Sequence, residues 1–145
     1  MKSLSKQWNR AVKFWSLSPQ DKWLLIQAFS VLIVYKCLLT FIPFNQFIGK
    51  KEVVTALRPL PEEKIRATVW AVKVVNAYVP LGFTCLIQAL GTKWLLRDHP
   101  DIQLRIGVQK SAIEGFSAHA WIEYKGKIIL GEQTGQVFEP ILAWK

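Results

Sequence analysis

Two blocks decide the fold: Gly82-Phe83-Thr84-Cys85-Leu86-Ile87-Gln88-Ala89-Leu90, and further on Ser117-Ala118-His119-Ala120-Trp121-Ile122-Glu123, joined through Lys125-Gly126 to Gly131-Glu132. Thr84 is an N-cap residue type, and Leu86, Ala89, Leu90, Trp94 and Leu95 recur at helical spacing. The first block therefore predicts a helix over 85–97 with Cys85 in its first turn. Gly91 weakens the middle of that helix by about 1 kcal/mol relative to Ala. Asp98-His99-Pro100 breaks the pattern, and the period then changes to two: Ile102, Leu104 and Ile106 alternate with Gln103 and Arg105, as in a strand. A loop from Lys110 to Ser117 leads to a strand over 118–124, a tight turn and a strand over 127–131. Gln133 to Gly135 reads as a further turn, and Phe138 to Leu142 as a short extended tail.

Upstream the chain is helical. Ser18-Pro19-Gln20-Asp21 combines an N-cap serine, a proline at the first helical position and an acid in the first turn. The helix it opens runs to Ile42, ahead of Pro43, and is nearly all apolar from Trp23 onward. That length suits a bilayer span of about 20 residues. Lys36, deep in the run, and Gln27, near its start, are costly in hydrocarbon, which favours a buried central helix. Residues 43–60, with Pro43, Gly49, Pro59 and Lys50-Lys51, read as a connection. A second helix starts at Pro61-Glu62-Glu63 and runs to Tyr78, with Ile65, Val69, Val72 and Val75 on one face, before Pro80-Leu81-Gly82 ends it. The fold class expected is α+β: a helical N-terminal half followed by an antiparallel meander. Residues 1–60 form an N-terminal helical region packed on a core of residues 61–145, one structural domain in all.

Composition narrows the class. At 145 residues, half of them apolar, the chain is long enough to bury a core and too apolar to be disordered. The formal net charge of +9 favours nucleic acid, anionic lipid or acidic peptide without choosing among them. Residues 1–17 place Trp8, Val12, Phe14, Trp15 and Leu17 among Lys2, Lys6, Arg10 and Lys13, an amphipathic stretch that either docks on the domain or lies on a membrane surface. The N-terminus lacks the apolar core and cleavage site of a secretory signal. Two cysteines, Cys37 and Cys85, share no metal-ligand spacing, so neither a zinc site nor a disulfide framework is indicated, and free thiols suit a reducing cytosol.

A sulfur at a helix N-terminus faces unpaired N–H groups and the positive end of the dipole, which favours thiolate, and the backbone N–H there can serve an oxyanion hole. Cys85 occupies such a position; Cys37, in mid-helix, reads as a buried structural cysteine. His119 lies between two alanines and shares a strand face with Trp121 and Glu123. A His beside a Cys nucleophile acts as base and then as acid. His99 has no evident partner. The third member depends on register. A two-residue turn at Lys125-Gly126 sets Glu132 opposite His119, whereas a three-residue loop sets Gly131 there; Glu123, two side chains along the same face, is a further alternative.

Thr84-Cys85-Leu86 with Ala89-Leu90, Leu104-Arg105-Ile106-Gly107-Val108, and Ala118-His119-Ala120-Trp121-Ile122-Glu123 with Gly126 resemble the leader peptidases of lasso-peptide biosynthesis, a bacterial family with a transglutaminase-like, papain-related fold. Leu17-Ser18-Pro19-Gln20-Asp21-Lys22-Trp23-Leu24-Leu25 is similar to the start of the helical region of these proteins. The resemblance implies Cys85 as nucleophile, His119 as general base and no cofactor. Family members often place an Asp twelve residues after the His; here that position is Gly131, followed by Glu132 as the candidate third member. It further implies a cytoplasmic cysteine protease that removes the leader of a ribosomally made precursor. Its partners would be that leader, a separate PqqD-like leader-recognition protein and the macrolactam-forming cyclase, with a membrane-surface contact open and no nucleic acid. The chain begins almost directly with the helical region, as in the split form of the family. Two other readings compete: a transglutaminase-like acyl transferase, and a non-catalytic basic module binding peptides or a membrane surface.

Overall fold

The computed structural model describes residues 14–43, 46, 61–111, 115–132 and 139–144. The amphipathic stretch as far as residue 13, nearly all of the 43–60 connection, residues 112–114 at the centre of the 110–117 loop and the 133–135 turn lie outside the described residues. Three helices, α1 (Pro19–Phe41), α2 (Glu62–Tyr78) and α3 (Cys85–Leu95), precede four strands, β1 (Ile102–Ser111), β2 (Gly115–Tyr124), β3 (Lys127–Leu130) and β4 (Glu139–Trp144). The α+β expectation holds. All sheet pairings are antiparallel and the strand order is β3-β2-β1-β4, so the first three strands form a meander and the fourth crosses to the free edge of β1. The C-terminal segment expected as a short extended tail is therefore a paired strand. Both β1 and β2 run longer than their alternating patterns suggested, meeting at Ser111↔Gly115.

Each boundary has a local cause. Ser18 caps α1 by accepting from the Asp21 N–H at 3.1 Å, and the fixed φ of Pro19 suits the first helical position. The β2–β3 turn has positive φ at both central residues, Lys125 at 48° and Gly126 at 77°. That is the sign pattern of a type I′ turn, whose twist matches a hairpin.

One core joins all layers. Leu25, Ala28 and Leu32 of α1, Ile65, Val72 and Val75 of α2, and Ile87 and Leu90 of α3 pack with Ile102, Leu104, Ala120, Ile122 and Leu130 of the sheet. The i, i+3, i+7 spacing on α1 buries a single stripe. The rest of that helix exposes Trp23, Ile26, Phe29, Val34 and Phe41, and only 22% of its most apolar window is buried. The expectation of a buried central helix is thus met along one stripe; by length and hydropathy the helix suits a soluble domain or a membrane equally. Lys36, which argued against a bilayer, turns back to donate to the Leu81 carbonyl and lies over the Phe83 ring. Gly91, which the sequence marks as a weak point, has a packing role: a Cβ there would stand 2.9 Å from Leu32 Cδ2, so the glycine lets α1 and α3 approach.

Candidate active site

The segment before α3 is anchored at several points. The Phe83 side chain is buried in the core, and its carbonyl accepts from Gln88 Nε2 at 3.0 Å. Gly82, at φ 61°, makes the turn that precedes it. Thr84 then accepts from the Ile87 N–H at 3.4 Å through its hydroxyl, which caps the helix and sets Cys85 at its first position. Cys85 is half-buried against the core cluster. Cys37, by contrast, is exposed, which corrects its reading as a buried structural cysteine: α1 turns that side to solvent.

Helix α3 packs on β2 and β1, and β2 carries His119, which is buried. Directly across the ladder from His119 is Gly107, which places no side chain beside the ring. His119 and Trp121 share a face, as the strand alternation requires, and their rings stack at 6.1 Å between centroids and 17° between planes. The buried Trp121 is fixed in turn, its Nε1 donating to Glu123 Oε1 at 2.9 Å. Glu123 Oε2 accepts from Arg105 Nε at 3.1 Å, and Arg105 also donates to Gln103 Oε1 at 3.2 Å. Glu123, an open alternative for the third member, has one oxygen on Trp121 and the other on Arg105, so here it holds the tryptophan that stacks on the imidazole.

The turn at Lys125-Gly126 is the two-residue one, and Tyr124↔Lys127 and Glu123↔Ile128 follow its register. The register then shifts between Glu123 and Ile122, and the ladder ends at Ile122↔Leu130. Ladder pairing therefore does not extend to His119 and Glu132. Glu132 is exposed, while His119 Nε2 lies 2.6 Å from the carbonyl oxygen of Gly131. Among the described residues no hydrogen bond joins the Cys85 thiol to the His119 ring. Thiol–imidazole contacts in substrate-free enzymes are often longer than in the working complex.

His99 proves structural. It is buried, meets the Tyr124 ring edge-on at 5.1 Å, and accepts from the Asp101 N–H at 3.3 Å through Nδ1 in the turn between α3 and β1. Among the described residues no group of three or more His, Cys, Asp or Glu side chains could hold a metal ion.

A cysteine at the start of a helix packed on a sheet with a buried histidine defines a class of thiol acyl-transfer folds. Residues 32–143 match the family model described as the transglutaminase-like superfamily, and the chain belongs to that superfamily. The match begins within α1 and runs to the penultimate residue of β4. Comparison with curated proteins and with solved structures gave no match. The superfamily is compatible with a cysteine peptidase or an acyl transferase.

Proposed function

We propose that the protein is a cysteine peptidase that removes the leader from a ribosomally synthesised lasso-peptide precursor. The observation that carries the chemistry is the placing of Cys85 at the capped start of α3, which packs on the strand bearing the buried His119. The sulfur attacks the scissile carbonyl, His119 takes the thiol proton and returns it to the leaving amine, and water releases the leader from the thioester. The first N–H groups of α3 are candidates to receive the oxyanion. The lasso assignment rests on the resemblance of the Cys and His blocks.

In this reading the partners are the leader, a separate leader-recognition protein and the cyclase that uses the freed core peptide. The protein works in the cytoplasm. Its exposed α1 face, with Trp23 and with Ile26 and Phe29 beside Trp70 and Tyr78 of α2, supports contact with a membrane surface.

The test is incubation with a lasso precursor and its recognition protein, with and without a high concentration of a primary amine. A product ending in a free carboxylate under both conditions supports the peptidase. A product carrying the amine whenever amine is present favours acyl transfer, and absence of any product from folded protein overturns both.

A further inference from the structure

We propose that the groove between α2 and the β2–β3 hairpin docks an acidic peptide segment, held extended as a further strand on the free edge of β3. The inference concerns binding and stands whether or not the chain is a peptidase. Among the described residues β3 is an edge strand, paired with β2 alone. Helix α2 packs on α1 and α3. Between helix and hairpin a groove of about 700 Å³ stays open, a size that takes a small ligand or a few peptide residues.

The lining combines basic side chains with an apolar floor. Arg66 and Lys73 come from one face of α2, and Lys125 and Lys127 from the hairpin; all four are exposed. The one carboxylate among the lining residues is Glu62, 3.9 Å from Arg66, so positive charge prevails. Ile65 and Val69 are buried, and Ile129 is half-buried. Tyr124 is held in place, its ring meeting His99 edge-on at 5.1 Å with Lys125 Nζ over it at 5.1 Å. Trp70 stays exposed, an apolar surface for a side chain of the occupant.

A strand edge presents both N–H donors and C=O acceptors. Ionised phosphate oxygens of nucleic acid or lipid only accept. A peptide backbone returns both, and an extended peptide satisfies the edge by strand addition. Lysines on an edge also repel a second copy of a basic chain, which disfavours self-pairing and favours an acidic strand. The strand period of two then sets the occupant's pattern, acidic residues alternating with apolar ones. β3 continues into Gly131, whose carbonyl oxygen lies 2.6 Å from His119 Nε2. A peptide lying along β3 is thereby led toward the candidate active site.

The probe is a fluorescein-labelled decapeptide alternating Glu and Val, titrated with the full chain and read by anisotropy. Binding at about 1–100 μM is expected. Arg66→Glu combined with Lys73→Glu, checked for folding by circular dichroism, should weaken it at least about tenfold. If that variant does not fold, Lys127→Glu takes its place with the same expectation. Two further copies of the peptide carry N-methyl groups, one on the Glu set and one on the Val set. A strand pairs with β3 through one set of its N–H groups, so one copy keeps the affinity and the other loses about tenfold. No binding to folded wild type at about 1 mM overturns the inference. So does an affinity unmoved by the charge reversals, or equal affinity of the two methylated copies. A thymidine decanucleotide that binds where the peptide does not, and is weakened by the same reversals, overturns it in favour of a nucleic-acid surface.

Discussion

Trp121 lies nearly parallel to His119, 17° between ring planes, and is itself held by Glu123 through a 2.9 Å hydrogen bond from Nε1. The alternation of β2 puts all three side chains on one face, and Arg105 from β1 closes the chain by binding the same carboxylate. Orientation of the imidazole therefore depends on a network two residues removed from it. Replacing Glu123 with Ala should lower kcat about tenfold with little change in KM, because substrate binding is untouched while the ring loses its support. It should also cost about 1–3 kcal/mol in urea unfolding, since Arg105 and Trp121 each lose a partner. A variant with unchanged kcat would show that the stack does not position the histidine.

The two thiols should separate cleanly. Cys37 is exposed on α1, so Cys37→Ala should retain wild-type cleavage and stability within about 0.5 kcal/mol. His119→Ala should abolish cleavage while leaving far-ultraviolet circular dichroism intact. Activity lost in Cys37→Ala and kept in His119→Ala would reverse the assignment.

Lys36 ties α1 to the loop that delivers Cys85, donating to the Leu81 carbonyl and lying over the buried Phe83. Lys36→Met keeps the stem and removes the donor. The expected result is a loss of about 1–2 kcal/mol in stability, with a fall in kcat as Leu81-Gly82-Phe83 loosens. Wild-type kcat in this variant would show that Phe83, through its burial and its bond from Gln88, holds the loop without help.

Gly91→Ala sets propensity against packing. On an open helix the change would stabilise by about 1 kcal/mol. Here the new Cβ meets Leu32 Cδ2 at 2.9 Å, and Leu32 is fully buried and has little room to yield. Overpacking should win, giving a net loss of about 1–2 kcal/mol by thermal or urea unfolding. A gain in stability would mean that α1 can slide on α3.

In the proposed membrane contact, the exposed apolar face of α1 and the charge of +9 would act together on anionic bilayers. Co-sedimentation with vesicles rich in phosphatidylglycerol should retain the protein, and Trp23→Ser with Phe29→Ser should release most of it. Binding that is unaffected by both substitutions would place the contact elsewhere.

Much of the architecture was legible because it rests on local signals. Ser18-Pro19 and Thr84 mark helix starts through caps, and the period-two run at Ile102–Ile106 marks a strand. The β4 strand was not legible, since Pro140 interrupts its pattern and its pairing with β1 is non-local. Which stripe of α1 is buried was not legible, because an almost uniformly apolar helix carries no facial information. At the site, Cys85 and His119 could be singled out by residue type and context, whereas the Gly131 carbonyl has no side-chain signature. Its only trace in the sequence is a glycine after the hairpin's last apolar residue. A single register shift between Ile122 and Glu123 was enough to defeat pairing arithmetic based on the turn.

Cys85 is the residue expected to carry the acyl group. The most direct test is mass spectrometry of an acid-quenched reaction of the protein with precursor and recognition protein. One cut at a single bond and a leader thioester on Cys85 are expected in wild type, with neither in Cys85→Ala. A cut that persists in folded Cys85→Ala, or an adduct on any other residue, would contradict it.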